Sequence, residues 1–178
     1  MRPRAWRGVE VLFAAVHARS RGRVALRSAD PRARPAIDPG YLAAEADVDV
    51  LAAGLRQARE IAARAPLSDH IAGEFAPGPE VDDDMTARAW IRRTVLTVFH
   101  PTSSCAMGGT AASVSDPAQR VRGVDGLRVV DASVMPAVPR GNTNAPVIAL
   151  AERAADLIRG ATPLSAREPG RPAGVPVA

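Results

Sequence analysis

FHPTSSCAMG at residues 99–108 is the stretch that decides the fold of this chain, together with GNTNAP at residues 141–146. Taken singly, each stretch has an ordinary interpretation. A histidine after an apolar run is more often a packed or partly exposed side chain than a catalyst, and Asn-Thr-Asn before a helix usually acts as its cap. The two stretches gain weight from the sequence that lies between and around them.

Strand and helix patterns follow one another in the first half of the chain. Residues 23–28 alternate apolar and polar side chains, which is typical of a half-buried strand. From Glu45 to Arg64 the apolar side chains recur at helical spacing, which predicts a helix with one buried face. A second helix is predicted at residues 85–94. Asp82–Asp84 precede it, and we interpret them as its cap rather than as a metal site, because acidic groups oppose the helix dipole.

Three further segments are predicted in the second half of the chain. Residues 95–99 are apolar and partly β-branched, which indicates a buried strand or helix end, and residues 127–131 have the composition of a strand. A last helix with a broad apolar face is expected to be capped by Asn144 and to end at Gly160. Residues 161–178 contain four prolines and no periodic pattern, so we expect a disordered tail.

Length and composition favour one globular core. The chain has 178 residues, of which 47% are hydrophobic and 24% charged, and it contains no apolar run of about 18 residues that would span a membrane. Glu10 interrupts the short apolar stretch near the N-terminus, which argues against a secretory signal. Cys105 has no second cysteine to pair with, so a reducing, cytoplasmic location is expected.

The net charge of +4 is unevenly spread along the chain. Residues 1–35 hold nine arginines against Glu10 and Asp30, whereas acidic residues predominate in the remainder. All the basic residues are arginine, and no basic stripe is interleaved with aromatic side chains. Nucleic-acid binding is therefore not expected, although the basic N-terminal region keeps it as a weak alternative.

Three spaced patterns carry a resemblance to a known family. They are His-Pro-x-x-Ser-Cys-x-Met-Gly from His100, Arg-Val-x-Gly-Val-Asp-Gly-Leu-Arg-Val-Val-Asp-Ala-Ser-Val-Met-Pro from Arg120, and Gly-Asn-Thr-Asn-Ala-Pro from Gly141. Set end to end, they resemble the C-terminal part of FAD-dependent glucose–methanol–choline (GMC) oxidoreductases, closest to the choline-dehydrogenase-like branch. The resemblance continues upstream more loosely, through Ser20-Arg21-Gly22, and covers roughly residues 19–160.

The resemblance implies an α+β fold assembled from parts of two domains. Residues 19–126 would form part of an antiparallel substrate-domain sheet with helices, and residues 127–160 the terminal strand and helix of an FAD-binding α/β domain. Residues 1–18 match poorly. The chain contains no Gly-x-Gly-x-x-Gly, the unit with which family members bind the ADP half of FAD. The N-terminal part of the flavin domain is therefore expected to be missing, and a separate flavin-binding half is a possible partner.

The resemblance also assigns roles to individual residues. His100 matches the active-site histidine of the family, and Asn142 matches a second active-site position that is His or Asn in different members. Asp131 and Ala132 match a turn that meets the ribityl and phosphate portion of FAD, whereas Thr143 and Asn144 match positions where the backbone approaches the isoalloxazine ring. The expected cofactor contacts are thus Asp131, Ala132, Asn142, Thr143 and Asn144.

The implied chemistry is oxidation of an alcohol substrate to an aldehyde or ketone, with hydride transfer to flavin. An alcohol hydroxyl does not ionise by itself at neutral pH, and a neutral imidazole that accepts its proton accelerates such a step by about 10²–10⁴. His100 is the candidate base. Asn142 would hydrogen-bond to the same oxygen and orient the carbon. The positive end of the last helix would stabilise negative charge on reduced flavin.

Other interpretations of these residues are weaker. Cys105 and Met107 resemble a soft metal-binding pair with His100, but no fourth ligand is near in sequence, so no metal site is predicted. Ser103 and Ser104 lie near His100, yet the chain has no Gly-x-Ser-x-Gly motif of a hydrolase. A non-catalytic interpretation, as an inactive remnant or an interaction module, stays open.

Overall fold

The computed structural model describes residues 8–162, so the predicted tail at 161–178 lies almost wholly outside the described residues. Three helices and a two-stranded sheet give an α+β arrangement. Two short 3₁₀ turns, Leu67–His70 and Ala132–Val134, add to it. The regular elements are β1 (Arg23–Ala25), β2 (Ala36–Asp38), α1 (Glu45–Ala62), α2 (Asp84–Thr94) and α3 (Asn144–Arg159).

Strands β1 and β2 form an antiparallel pair in which Val24 lies opposite Ile37. The strand predicted at 23–28 is confirmed in position but ends at Ala25. It is not half-buried, since Val24 is 58% exposed. Gly22 leads into β1 at a very close approach: a Cβ atom there would lie 2.2 Å from the carbonyl oxygen of Asp38. Only a residue without a side chain fits this position.

Helices α1 and α2 pack together and form the main core, and both predicted helices are confirmed to within two residues at each end. The predicted buried face of α1 is present in its first three turns, whereas Ile61 near its end is 55% exposed. Two adjoining clusters fill the space between the helices. They consist of Leu51, Ala52 and Ile91, and of Leu55, Val81 and Ala87.

The segment before β1 contributes to this core. Phe13 packs against both clusters, as does Trp90 of α2. Gly54 of α1 makes room for Phe13, because a Cβ atom at Gly54 would lie 2.7 Å from Cδ2 of the phenyl ring. Aromatic residues are few in the chain, and the rings of Phe13 and Trp90 both contact the two clusters of the core.

The acidic run before α2 is a helix cap, as predicted. Asp83 is the N-cap residue and accepts a hydrogen bond from the Thr86 N–H at 2.7 Å. The Thr86 hydroxyl in turn lies 3.2 Å from the Asp83 N–H, which completes a capping box. Asp84 forms ion pairs with Arg56 and Arg88, so it also serves helix packing.

Asp47 in α1 anchors the chain that enters β1. Its carboxylate accepts hydrogen bonds from the Arg19 N–H and the Ser20 N–H, both at 2.8 Å, and from the Ser20 hydroxyl. The Ser20 hydroxyl oxygen also accepts from the Ala44 N–H. Burial by itself raises the pKa of Asp47, but these hydrogen bonds outweigh it and hold the pKa below its ordinary value.

Two predicted strands are not present as regular elements. Residues 95–99 were expected to be buried, but Leu96 is 86% and Phe99 is 82% exposed. Val95 packs against the core, and the backbone of residues 96–99 forms no strand or bridge. Residues 127–131 make a single bridge between Arg128 and Arg120 instead of a ladder. The prediction of a strand was wrong for both segments, whereas the alternative of a helix end at residues 95–99 is confirmed at Val95, the C-cap residue of α2.

Helix α3 ends at Gly160 as predicted, in the left-handed conformation at φ 68°. Its apolar face is largely uncovered: Ile148 is 55% and Ile158 is 62% exposed, while Ala154 is buried. Across residues 8–162, no helix combines the length and the apolar composition that crossing a membrane would require.

Candidate functional site

The imidazole of His100 and the hydroxyl of Thr143 connect the two stretches that the sequence singles out. His100 Nδ1 lies 2.8 Å from Thr143 Oγ1, across 43 positions of sequence. Thr143 is buried, and His100 is partly exposed. Either atom can donate in this hydrogen bond, depending on which imidazole nitrogen carries the proton.

Thr143 is also the N-cap residue of α3, which corrects the expectation that Asn144 caps this helix. Asn144 is instead the first helical residue. Thr143 makes no side-chain cap hydrogen bond, and its hydroxyl is taken by His100. The first-turn N–H groups of Asn144 and Ala145 are therefore not satisfied by a capping side chain. Asn142 and Asn144 are exposed on either side of buried Thr143.

Backbone hydrogen bonds join the His100 stretch to the turn that begins at Asp131. The N–H groups of Ser103, Cys105 and Met107 donate to the carbonyl oxygens of Ala132, Ser133 and Val134, at 3.4, 2.9 and 2.8 Å. Val134 is fully buried behind this pairing. The structure thus brings Asp131 and Ala132 beside the segment that follows His100.

The carboxylate of Asp131 caps the short turn Ala132–Val134. Its Oδ1 accepts a hydrogen bond from the Ser133 N–H at 2.7 Å. Hydrogen bonding from Ser133 holds the pKa of Asp131 below its ordinary value, although partial burial opposes this. Asp131 is therefore a carboxylate at neutral pH and an acceptor for hydroxyl groups.

Two residues flanking His100 have left-handed backbone conformations. Phe99 has φ 61° and Ser103 has φ 73°. This conformation costs an L-residue roughly 1–2 kcal/mol, and glycine adopts it freely. Ser103 carries a side chain at this φ, so its backbone is strained where that of a glycine would not be.

One contact near the site was not predicted from the sequence. His17 Nδ1 donates a hydrogen bond to the carbonyl oxygen of Val138 at 2.8 Å, across 121 positions. Val138 lies in the segment that leads to Asn142. No motif in residues 1–18 indicated this contact, and no local pattern could have done so, because its acceptor is a backbone atom.

The residues matched to FAD present a donor set that fits its polar groups. Asn142 and Asn144 expose carboxamides at the uncapped start of α3, where backbone N–H groups and the helix dipole favour acceptor-rich or anionic groups. Asp131 and Ala132 lie at the start of a turn earlier in the chain, with a carboxylate suited to sugar-alcohol hydroxyls. The chemistry of these groups is compatible with the isoalloxazine edge and the ribityl chain.

The family model described as GMC oxidoreductase matches residues 18–151. The chain belongs to the GMC oxidoreductase family. This confirms the resemblance based on the His100, Arg120 and Gly141 patterns, including its C-terminal placement in the family.

Similar proteins include dehydrogenases and a solved flavoenzyme. The chain is 45% identical over 140 residues to an alcohol dehydrogenase [acceptor] of Pseudomonas putida, covering 79% of this chain and 25% of that protein. It is 43% identical over 157 residues to an oxygen-dependent choline dehydrogenase of Serratia proteamaculans, covering 88% and 28%. An FAD-dependent oxidoreductase from Chaetomium thermophilum superposes with a TM-score of 0.77 at 32% identity, covering 82% of this chain and 25% of that one.

The chain thus spans about a quarter of the length of the curated relatives it matches. What those whole proteins bind and oxidise is a property of the complete polypeptides. The portion present here is the GMC part that contains His100 and Asn142.

Proposed function

We propose that this chain supplies the His/Asn part of an FAD-dependent alcohol oxidoreductase. The reaction is oxidation of an alcohol to an aldehyde or ketone, with hydride transfer to flavin. The observation that carries the proposal is the 2.8 Å hydrogen bond between His100 and Thr143, which links the candidate base to the residue next to Asn142. Membership of the GMC family and similarity to alcohol and choline dehydrogenases support it.

His100 is the proposed base, and its bond to Thr143 defines which nitrogen acts. With Nδ1 engaged by Thr143, Nε2 is the atom that accepts the hydroxyl proton of the substrate. Nε2 has a free lone pair only when the proton of the neutral ring resides on Nδ1. The base role therefore requires Nδ1–H to donate to Thr143 Oγ1.

Asn142 is proposed to orient the substrate oxygen. Its side chain is exposed and adjoins buried Thr143, so the carboxamide is free to meet a ligand. A carboxamide can donate to an alkoxide-like oxygen, which stabilises developing negative charge. It cannot take up a proton at neutral pH, so it complements His100 without replacing it.

FAD, when bound, supplies the hydride acceptor. We propose that Asp131 and Ala132 meet its ribityl and phosphate portion, and that Asn142, Thr143 and Asn144 meet the ring. The uncapped N–H groups of α3 supply donors for this purpose. The exposed apolar side chains of α3, among them Ile148 and Ile158, support packing against a flavin-binding unit.

A cytoplasmic location is proposed because Cys105 is the chain's single cysteine.

Reconstitution with a flavin-binding unit tests the proposal. The 178-residue chain is co-expressed with the part of the P. putida alcohol dehydrogenase that lies outside the 140 residues matched at 45% identity, as the candidate flavin-binding unit. We expect a yellow complex that reduces an electron-accepting dye when a primary alcohol is added. Absence of flavin from the purified complex contradicts the proposal.

Variants separate catalysis from assembly. His100→Ala is expected to retain flavin but to lose about 10²–10⁴-fold in kcat, the range typical of a general base. Asn142→Ala is expected to retain flavin and lose part of the rate. His70→Ala is the matched control, because His70 is exposed at the end of the turn Leu67–His70, far from α3 in sequence. Equal activity of His100→Ala and His70→Ala would refute the role of His100.

A further inference from the structure

The segment at residues 136–142 carries Asn142 but has little backbone support. It follows the turn Ala132–Val134 and precedes α3. Pro136 and Pro139 have no N–H to donate. Among the described residues, no backbone-to-backbone hydrogen bond outside the regular elements involves residues 136–142. Contacts made by side chains therefore carry more weight in positioning this segment.

Two histidines make hydrogen bonds to this segment or to the residue that follows it. His100 bonds to Thr143, immediately after it. His17 bonds to the carbonyl oxygen of Val138, near its middle, at 2.8 Å. His17 has φ 61°, a left-handed conformation in which histidine is enriched among residues other than glycine. The backbone at His17 thus presents its ring toward the segment at some conformational cost.

We propose that His17 is a positioning residue: by binding the Val138 carbonyl it holds residues 136–142 in place and, with them, Asn142. Its effect on catalysis rests on the proposed function, whereas its effect on the segment does not. The hydrogen bond requires a proton on Nδ1, and both the protonated ring and one neutral tautomer provide it. Removing the ring leaves the Val138 carbonyl without this donor.

Limited trypsin digestion of the 178-residue chain measures the segment directly, without flavin. The Arg140–Gly141 bond lies inside the segment, and Arg140 is exposed. The Arg122–Gly123 bond lies in a separate turn and serves as an internal reference. Cleavage at both bonds is followed by mass spectrometry for wild type, His17→Ala, His17→Asn and the His70→Ala control. When opening is fast relative to cleavage, the rate reports the open population.

We expect His17→Ala to accelerate cleavage after Arg140 about 2- to 10-fold relative to cleavage after Arg122, the fold-change that loss of one exposed hydrogen bond corresponds to. His17→Asn is expected to restore the wild-type ratio, because asparagine tolerates φ near 60° and its Nδ2 donor lies at a similar distance from the backbone. His70→Ala is expected to leave the ratio unchanged. An unchanged ratio in His17→Ala, or equal acceleration at both bonds, would overturn the proposal.

In the reconstituted flavin complex, His17→Ala is expected to lower kcat more than it raises KM, with recovery in His17→Asn. A wild-type complex that is active but whose kcat is insensitive to His17→Ala would overturn the catalytic part of the proposal. An inactive wild-type complex would instead count against the proposed function, and the digestion result would stand independently.

Discussion

Replacing Thr143 with valine removes the hydroxyl that bonds to His100 and keeps the β-branched shape of the side chain. The bond is 2.8 Å long and Thr143 is buried, so its contribution should fall in the upper half of the usual range, about 1–1.5 kcal/mol. If this energy orients the imidazole for proton transfer, its loss lowers kcat by about 5- to 13-fold. Thr143→Ser keeps the hydroxyl and is expected to retain most of the rate.

The protonation pattern of the ring is the more direct measurement. With ¹⁵N-labelled histidine, the nitrogen chemical shifts distinguish Nδ1–H from Nε2–H, and the chain has three histidines, so His17 and His70 are internal references. We expect His100 in the wild type to carry its proton on Nδ1 and Thr143→Val to give a mixture of tautomers. A wild-type ring protonated on Nε2 would refute the reasoning, because Thr143 would then be the donor and Nε2 could not accept a proton.

Three further predictions concern folding. Asp47→Asn is expected to lower the free energy of unfolding by about 2–3 kcal/mol at pH 7, since several hydrogen bonds to a charged group are weakened. Because folding lowers the pKa of Asp47, the stabilisation from its carboxylate is present above the ordinary carboxyl pKa and is lost as the pH falls below about 4. The difference between urea midpoints measured at pH 7 and at pH 3 should therefore be smaller for Asp47→Asn than for the wild type. Ser103→Gly is expected to raise the free energy of unfolding by about 0.5–1 kcal/mol, because glycine adopts φ 73° without backbone strain. An unchanged or lower urea midpoint would show that the backbone at Ser103 is not strained. Asp83→Ala is expected to lower the urea midpoint by removing the α2 cap, whereas replacing the exposed neighbour Asp82 with alanine should lower it much less. Equal losses would argue against the capping box.

Elements held by their own sequence were predictable. The periodic apolar residues of α1 and the acidic cap of α2 specify these helices through contacts a few residues apart, and both were located within two residues of their observed ends. The end of α3 at Gly160 was predictable for a similarly local reason, because glycine readily adopts the left-handed conformation.

Segments whose structure depends on distant partners were not predictable. Residues 95–99 and 127–131 have strand composition, but strand formation needs a paired neighbour, and the composition does not say where that neighbour lies. Asn144 was expected to cap α3, whereas the N-cap residue is Thr143, and its hydroxyl bonds to a histidine 43 positions away. His17 reaches a backbone carbonyl 121 positions away, which leaves no signature in either local sequence.

The pairing of residues 103–107 with the turn Ala132–Val134 has a consequence for sequence change. The N–H groups of residues 103, 105 and 107 donate to three consecutive carbonyl oxygens of a helical turn, so the two backbones are in fixed register. Substitutions at Thr102 or Ser104 leave that register intact. Inserting or deleting one residue between His100 and Ser103 would alter the length of chain that connects the imidazole to this register, and would displace His100 from Thr143.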